Sequence, residues 1–306
     1  MSLSNLNRAI CPRFIISFIL ITVISGCADS EIPSYTTSSL YIFGDSLSDS
    51  GNVTIASAGL LPDNNYYKGR FSNGPNYADQ LASKLNTPLK PSRSFGSNYA
   101  FGGAKSLDVN AQVSNYKSNV DNIAKPEAIY IIWTGGNDLL DILLNEDTTN
   151  TLESAVAHIE DAIRKLVSIG ATKIVVPNQV NMGHLPRILE LENSAPGIIN
   201  QATTLTINFN TALDNMLDEL ATNGVILATK FDTFTLFENV VVNPIDYELS
   251  NITDRCYIKD ETLIELTGEE IICNNSDDYL FWDSLHPTHS GHTIIVNQMF
   301  PVLQTL

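Results

Sequence analysis

The chain has 306 residues, with 17 Lys or Arg against 34 Asp or Glu, a formal net charge of −17. A chain that acidic has no electrostatic attraction for nucleic acid or anionic headgroups, so shape and apolar contact must select its partners. Its length suits one large α/β domain, and no Pro/Ser linker, repeat or low-complexity run divides residues 38–306.

The first segment stands apart from the fold. Arg8 and Arg13 precede FIISFILITVIS, residues 14–25, an uncharged run too short to span a bilayer comfortably and flanked like a secretory signal. Export is expected, and loss of residues 1–26 removes two arginines and no acid, taking the charge to −19. The stretch ISGCA, residues 24–28, resembles a bacterial lipoprotein processing site. That resemblance implies lipid on Cys27, residues 27–37 as a tether, membrane contact through this anchor, and the outer membrane of a Gram-negative cell as destination. Cleavage after Ala28 also satisfies the small-residue rule and would give a secreted protein.

The next stretch, YIFGDSLSDSGN, takes a short apolar strand over residues 39–43 into a turn of Gly, Asp and Ser. Such residues are ordinary turn formers, but a nucleophilic serine at the end of a buried strand would look the same. Residues 74–85 read as a helix with Tyr77, Leu81 and Leu85 on one face. EAIYIIWTG, residues 127–135, has the length and β-branched content of a buried parallel strand. A helix follows over residues 151–169, with Leu152, Val156, Ile159, Ile163 and Leu166 facing a core. TKIVVPN at 172–178 is the next strand, then a helix over about 200–221, a strand at 224–231 and a last helix from about 288 to 302. Alternating strands and helices predict an α/β fold, a parallel sheet covered on both faces, with ligands outside the carboxyl ends of the strands. The turns at 44–46 and 135–138 land on that same edge.

Of the four cysteines, Cys11 and Cys27 lie in the leader and at the processing site. Cys256 and Cys273, in a loop-like stretch of an exported chain, read as one disulfide closing a loop over 256–273. With no histidine near either, a metal pair is the weaker reading, and no metal or cofactor is expected. Further on, DSLHPT at 283–288 places Asp283 three residues before His286. That spacing lets a carboxylate fix one imidazole nitrogen and leaves the other to take a proton from a serine hydroxyl. His289 and His292 lack an acid three residues upstream and read as helix-start or surface residues; Asp45, Asp49, Asn52 and Asp138 read as loop stabilisers. His158, in a helix, and His184, in a loop, have nothing in the sequence to pair them with a site.

Four blocks in order, GDS at 44–46, NYAFGGA at 98–104, GGND at 135–138 and DSLHPT, resemble the GDSL or SGNH lipase and esterase superfamily over essentially all of residues 38–306. GRFSNGPNYADQLA, residues 69–82, resembles the subgroup of haemolysin-like phospholipases, lysophospholipases and acyltransferases. The resemblance implies a three-layer α/β/α sandwich, flavodoxin-like, with Ser46 as nucleophile, His286 as base and Asp283 as its orienting partner. It implies an oxyanion hole from the backbone N–H of Ser46, the backbone N–H of Gly103 in preference to Gly102, and the Asn137 amide. No Gly-x-Ser-x-Gly occurs, which excludes the α/β-hydrolase elbow. The expected activity is hydrolysis of carboxylic esters, with lysophospholipid or phospholipid acyl chains first. Acyl transfer to cholesterol or another alcohol comes second and short-chain or carbohydrate-acetyl ester cleavage third. An inactive lipid-binding lipoprotein is the alternative of another class.

Overall fold

Five consecutive buried residues in Leu40–Gly44 (β1) and again in Ile129–Trp133 (β2) leave neither face of these strands in water. The computed structural model describes residues 39–146, 149–259 and 270–306. β1 pairs in parallel with β2, β2 with Lys173–Pro177 (β3), and β3 with Thr229–Phe231 (β4). The predicted strand at 224–231 shrinks to its last three residues, because β4 is an edge strand that meets only the end of β3.

Residues 97–101, not foreseen as extended, run along the free side of β1. Ile42 N–H donates to Ser97 O (3.1 Å), Tyr99 N–H to Ile42 O (2.7 Å) and Phe101 N–H to Gly44 O (3.0 Å). This segment therefore extends the sheet past β1 and ends at the Gly102–Gly103 pair.

Helices cover both faces, which makes the three-layer α/β/α sandwich. In chain order the first helices are Asn52–Ala56 (α1), Tyr77–Lys84 (α2), Ser106–Asn119 (α3), Gly136–Leu144 (α4), Leu152–Ser168 (α5), Pro186–Leu191 (α6) and Ile198–Thr222 (α7); α3 packs on α5, and α5 on α7. Tyr77–Lys84 packs on the C-terminal helix His289–Leu303. The first of that pair starts later than its apolar spacing suggests, because Asn76 caps it: the side chain accepts from Asp79 N–H (3.1 Å) and Asp79 answers to Asn76 N–H (3.3 Å). Gly136–Leu144 (α4) and Thr233–Val242 are further helices that the sequence pattern did not announce. An aromatic cluster, Tyr41, Phe43, Tyr99, Tyr116 and Tyr130, fills the space under α3, with the Tyr116 and Tyr130 hydroxyls 2.9 Å apart.

Outside the main sheet, Asn251–Arg255 pairs in parallel with Tyr279–Phe281, and Tyr257–Ile258 pairs antiparallel with Ile271–Ile272. A Cys256–Cys273 disulfide closes this last ribbon, Cα–Cα 4.8 Å. Among the described residues no helix is long and apolar enough to cross a membrane. The signal, the tether and Cys27 lie outside the described residues, as does the middle of the disulfide loop, 260–269.

Candidate active site

β1 ends at Gly44, where φ is +153° and a Cβ would sit 2.1 Å from the Trp133 carbonyl oxygen, so only glycine lets β1 close on β2 there. The Gln112 side chain of α3 holds both backbone groups of Gly44, accepting from its N–H (2.9 Å) and donating to its oxygen (2.8 Å). The turn that follows folds back on Asp45, whose carbonyl accepts from Ser48 N–H (3.1 Å) and Asp49 N–H (3.0 Å). Asp49 organises the rest: one oxygen accepts from Gly51 and Asn52 N–H groups (2.8 and 2.6 Å), the other from Val53 and Gly102 (3.1 and 3.0 Å). Burial pushes its carboxyl up, against the pull of those donors. Asp45, Asp49, Asn52 and Asp138 do serve as loop anchors; Asn52 donates to Asn98 O and Ala100 O (2.8 Å each), and Asp138 accepts from Ser106 N–H (2.8 Å).

Ser46, two residues past β1, has its Oγ 2.7 Å from His286 Nε2. His286 Nδ1 lies 2.7 Å from Asp283 Oδ2, while Asp283 Oδ1 accepts from Leu285 N–H (2.8 Å) and His286 N–H (2.7 Å). The carboxylate thus holds both the ring and the backbone of the loop that carries it. Burial would raise the Asp283 carboxyl, but the His286 charge and hydrogen bond bring it below the usual range. Burial would lower His286, and Asp283 outweighs it, so the imidazole is held above its ordinary value. A serine hydroxyl facing a strengthened base is the arrangement that generates an oxygen nucleophile.

Of the two adjacent glycines, Gly102 gives its N–H to Asp49 (3.0 Å), whereas Gly103, exposed and at φ +80°, has no hydrogen-bond partner among the described residues. Asn137, in the first turn of α4, donates one amide hydrogen to Ala104 O (2.9 Å) and has a second. Ser46, Asn137 and His286 line a cavity of about 60 Å³ walled by Leu140, Val180, Met182, Leu185, Phe237 and Ile295.

Three things depart from the sequence reading or were missed by it. His292 lies in the first turn of the last helix but is no surface residue: it is buried beside Tyr77, ring centroids 6.3 Å apart, and burial pushes its imidazole down to about 3. Asp45 lies on the cavity wall as well as in the turn, and burial raises its carboxyl to about 7. Tyr66, which no spacing singled out, donates to Asp283 Oδ2 at 2.7 Å, and nothing local in the sequence could have paired residues 217 apart. His289 does begin the last helix, with Nδ1 3.1 Å from Pro75 O. His158 and His184 face Ser106 Oγ (3.3 Å) and Glu238 (2.8 Å). Among the described residues no group of His, Cys, Asp and Glu could hold a metal ion.

A parallel α/β/α sheet with a Ser–His–Asp relay at its carboxyl edge defines a class of serine hydrolase whose nucleophile follows the first strand. The chain belongs to the GDSL-like lipase/acylhydrolase family, whose model matches residues 40–299. It is a carboxylic ester hydrolase of that family. It is 29% identical to a GDSL esterase/lipase of Arabidopsis thaliana over 85% of this chain and 81% of that one. It is 25% identical to the phosphatidylcholine-sterol acyltransferase of Aeromonas hydrophila, over 90% and 92%. Among solved structures it resembles an α/β hydrolase from the metagenome of Lake Arreo, Spain (TM-score 0.52, 12% identity, 87% and 95% covered). The acetylxylan esterase of Geobacillus stearothermophilus aligns with TM-score 0.50, 13% identity, 86% and 93% covered. These structural likenesses speak for the fold.

Proposed function

We propose that the protein cleaves acyl esters of lipids through an acyl-enzyme on Ser46. The observation that carries this is the apolar cavity opening directly onto the Ser46–His286 pair. His286 Nε2 takes the hydroxyl proton as Ser46 Oγ bonds to the ester carbonyl carbon. The resulting oxyanion is met by N–H groups of Ser46 and Gly103 and the Asn137 amide. His286 returns the proton to the departing alcohol oxygen as the C–O bond breaks; water then repeats the sequence and releases the acid. An alcohol in place of water would give acyl transfer, an outcome supported by the Aeromonas relative's name. That name and the resemblance of residues 69–82 to the haemolysin-like phospholipase subgroup put lysophospholipid and phospholipid first.

The cavity's volume favours a second reading. A water-sized sphere occupies roughly 10–15 Å³, so about 60 Å³ receives only the first few carbons of a chain. A short acyl group would be held within it, whereas a long chain would lie mostly outside. Fatty-acid release from lysophosphatidylcholine, diacyl phospholipid and a short acyl ester, with and without cholesterol and with Ser46→Ala as blank, separates the readings. The lipid reading fails if only the short ester is turned over. A covalent serine probe that leaves Ser46 unlabelled would instead favour an inactive lipid binder.

We infer from the leader that the protein is exported and anchored by lipid on Cys27. Fatty-acid labelling that disappears in Cys27→Ser supports this; an unmodified mature N-terminus at Asp29 establishes plain secretion.

A further inference from the structure

The Asp283 carboxylate receives four hydrogen bonds, three from its own loop and the fourth from Tyr66. Tyr66 is placed by the disulfide-closed ribbon. Its ring meets Tyr257 and Trp282 edge-on (centroids 5.6 and 6.4 Å), and those two stack on each other at 5.5 Å beside the buried Cys256. The loop bearing Tyr66 is stitched to the same ribbon: Asp63 accepts from Tyr257 Oη (3.0 Å) and Lys259 Nζ (2.7 Å), and Asn65 donates to Tyr257 Oη (3.2 Å) and to Glu270. The ribbon also grips the other end of the relay through the backbone. Cys273 N–H donates to Cys256 O (2.8 Å), Cys256 N–H to Phe281 O (3.1 Å), Tyr257 N–H to Trp282 O (2.6 Å) and Trp282 N–H to His286 O (2.8 Å).

We propose that Tyr66 is a positioning residue for ester cleavage: clamped by the Cys256–Cys273 ribbon, its hydroxyl fixes the Asp283 carboxylate and through it the His286 ring. This rests on the catalytic reading above. Tyr66 does not line the cavity, and its hydroxyl is spent on Asp283, so its expected effect is on the relay. Burial and the Asp283 charge push its phenol far up, so it remains a donor at every working pH. Removing that donor leaves the carboxylate a stronger acceptor for the imidazolium, and His286 then holds its proton to higher pH. Asp45, Asp283 and His292 are the titratable groups that act on His286, and Asp63, Asp283 and Tyr257 those that act on Tyr66; all are present in both proteins compared.

The experiment is kcat/KM against pH on a short soluble ester for wild type and Tyr66→Phe, each oxidised and after mild reduction, with Ser46→Ala as control. A hydrogen bond to a charged group is worth roughly tenfold or more in rate. We expect Tyr66→Phe to lose about tenfold in kcat with KM little changed, and the acid limb to move to higher pH. Reduction should move the limb the same way in wild type and add nothing in Tyr66→Phe. An unshifted limb in Tyr66→Phe, or an equal loss at all pH with a lower melting temperature, overturns the proposal. Reduction that shifts both proteins equally removes the ribbon from it. Absence of any Ser46-dependent turnover in wild type would defeat the catalytic reading instead; the His286 Nδ1 proton resonance, displaced in Tyr66→Phe, then still reads the Tyr66–Asp283 contact.

Discussion

The two halves of the relay are held by different means. Ser46 stands at the end of a core strand, on a turn whose peptide groups converge on one buried carboxylate, Asp49, and whose neighbours Ser48, Asp49, Ser50 and Asn52 are almost wholly buried. Asp283 and His286 stand on a loop beyond a three-residue strand that pairs outside the main sheet. That loop is kept in place by its own carboxylate, by a tyrosine from far along the chain and by a disulfide ribbon. The nucleophile is set by core packing, the base by a clamp, so damage to the first should unfold and damage to the second should mistune.

The comparison breaks most sharply at the reacting atoms, where both sides should count equally. Ser46→Ala and His286→Ala should each lower kcat by roughly 10⁴- to 10⁶-fold with melting temperature nearly unchanged. Measurable turnover close to wild type in Ser46→Ala would end the assignment. Asn137→Ala should lower kcat about 10²- to 10³-fold with KM preserved, because its free amide hydrogen is needed when the oxyanion forms. An effect on KM alone would make Asn137 a ground-state contact.

Asp49→Ala sharpens the difference between the halves. It strands four N–H groups, three of them buried, each buried one worth about 1–3 kcal/mol if unsatisfied, so denaturant titration should show a loss of several kcal/mol or no folded protein. Activity loss without destabilisation would mean that the nucleophile turn is not held as described.

The smallest expected effect is in pH. His286 must be neutral to act as base, and Asp283 holds it above its ordinary value of 6.5, so kcat/KM should rise with pH and reach half its plateau above 6.5. Asp283→Asn should move that limb down while lowering the plateau. For stability the sign is opposite: the His286–Asp283 attraction is fully present below pH 6.5 and is lost as pH rises through the raised value. A limb at or below 6.5 in wild type would show that burial outweighs Asp283.

The nucleophile half was legible in the sequence because its signals are local. An apolar strand, a glycine that closes on the next strand and a short acidic turn lie within a dozen residues, and the apolar spacing of residues 127–135 and 151–169 located the second strand and the α5 helix to within a few residues. Asp283 and His286 were legible for the same reason, three residues apart. What escaped was long-range. The 97–101 segment has no alternating pattern and is extended only because β1 offers it partners. The burial of His292 could not be read locally because its neighbour Tyr77 comes from a helix over 200 positions away. Tyr66 sits in a polar loop that acquires its meaning from a ribbon nearly 200 residues on.

The close approach of Gly44 to Trp133 has a consequence for how this enzyme can change. The two are partners in one register of the sheet; Ser46 comes two residues after one, Asn137 four after the other. The gap between the strand ends that carry Ser46 and Asn137 is set by the spacing of two hydrogen-bonded strands, roughly 4.8 Å. Loops around the cavity can be lengthened, shortened or exchanged to admit other acyl groups without resetting that gap. A single methyl group added at position 44 would reset it for every substrate at once.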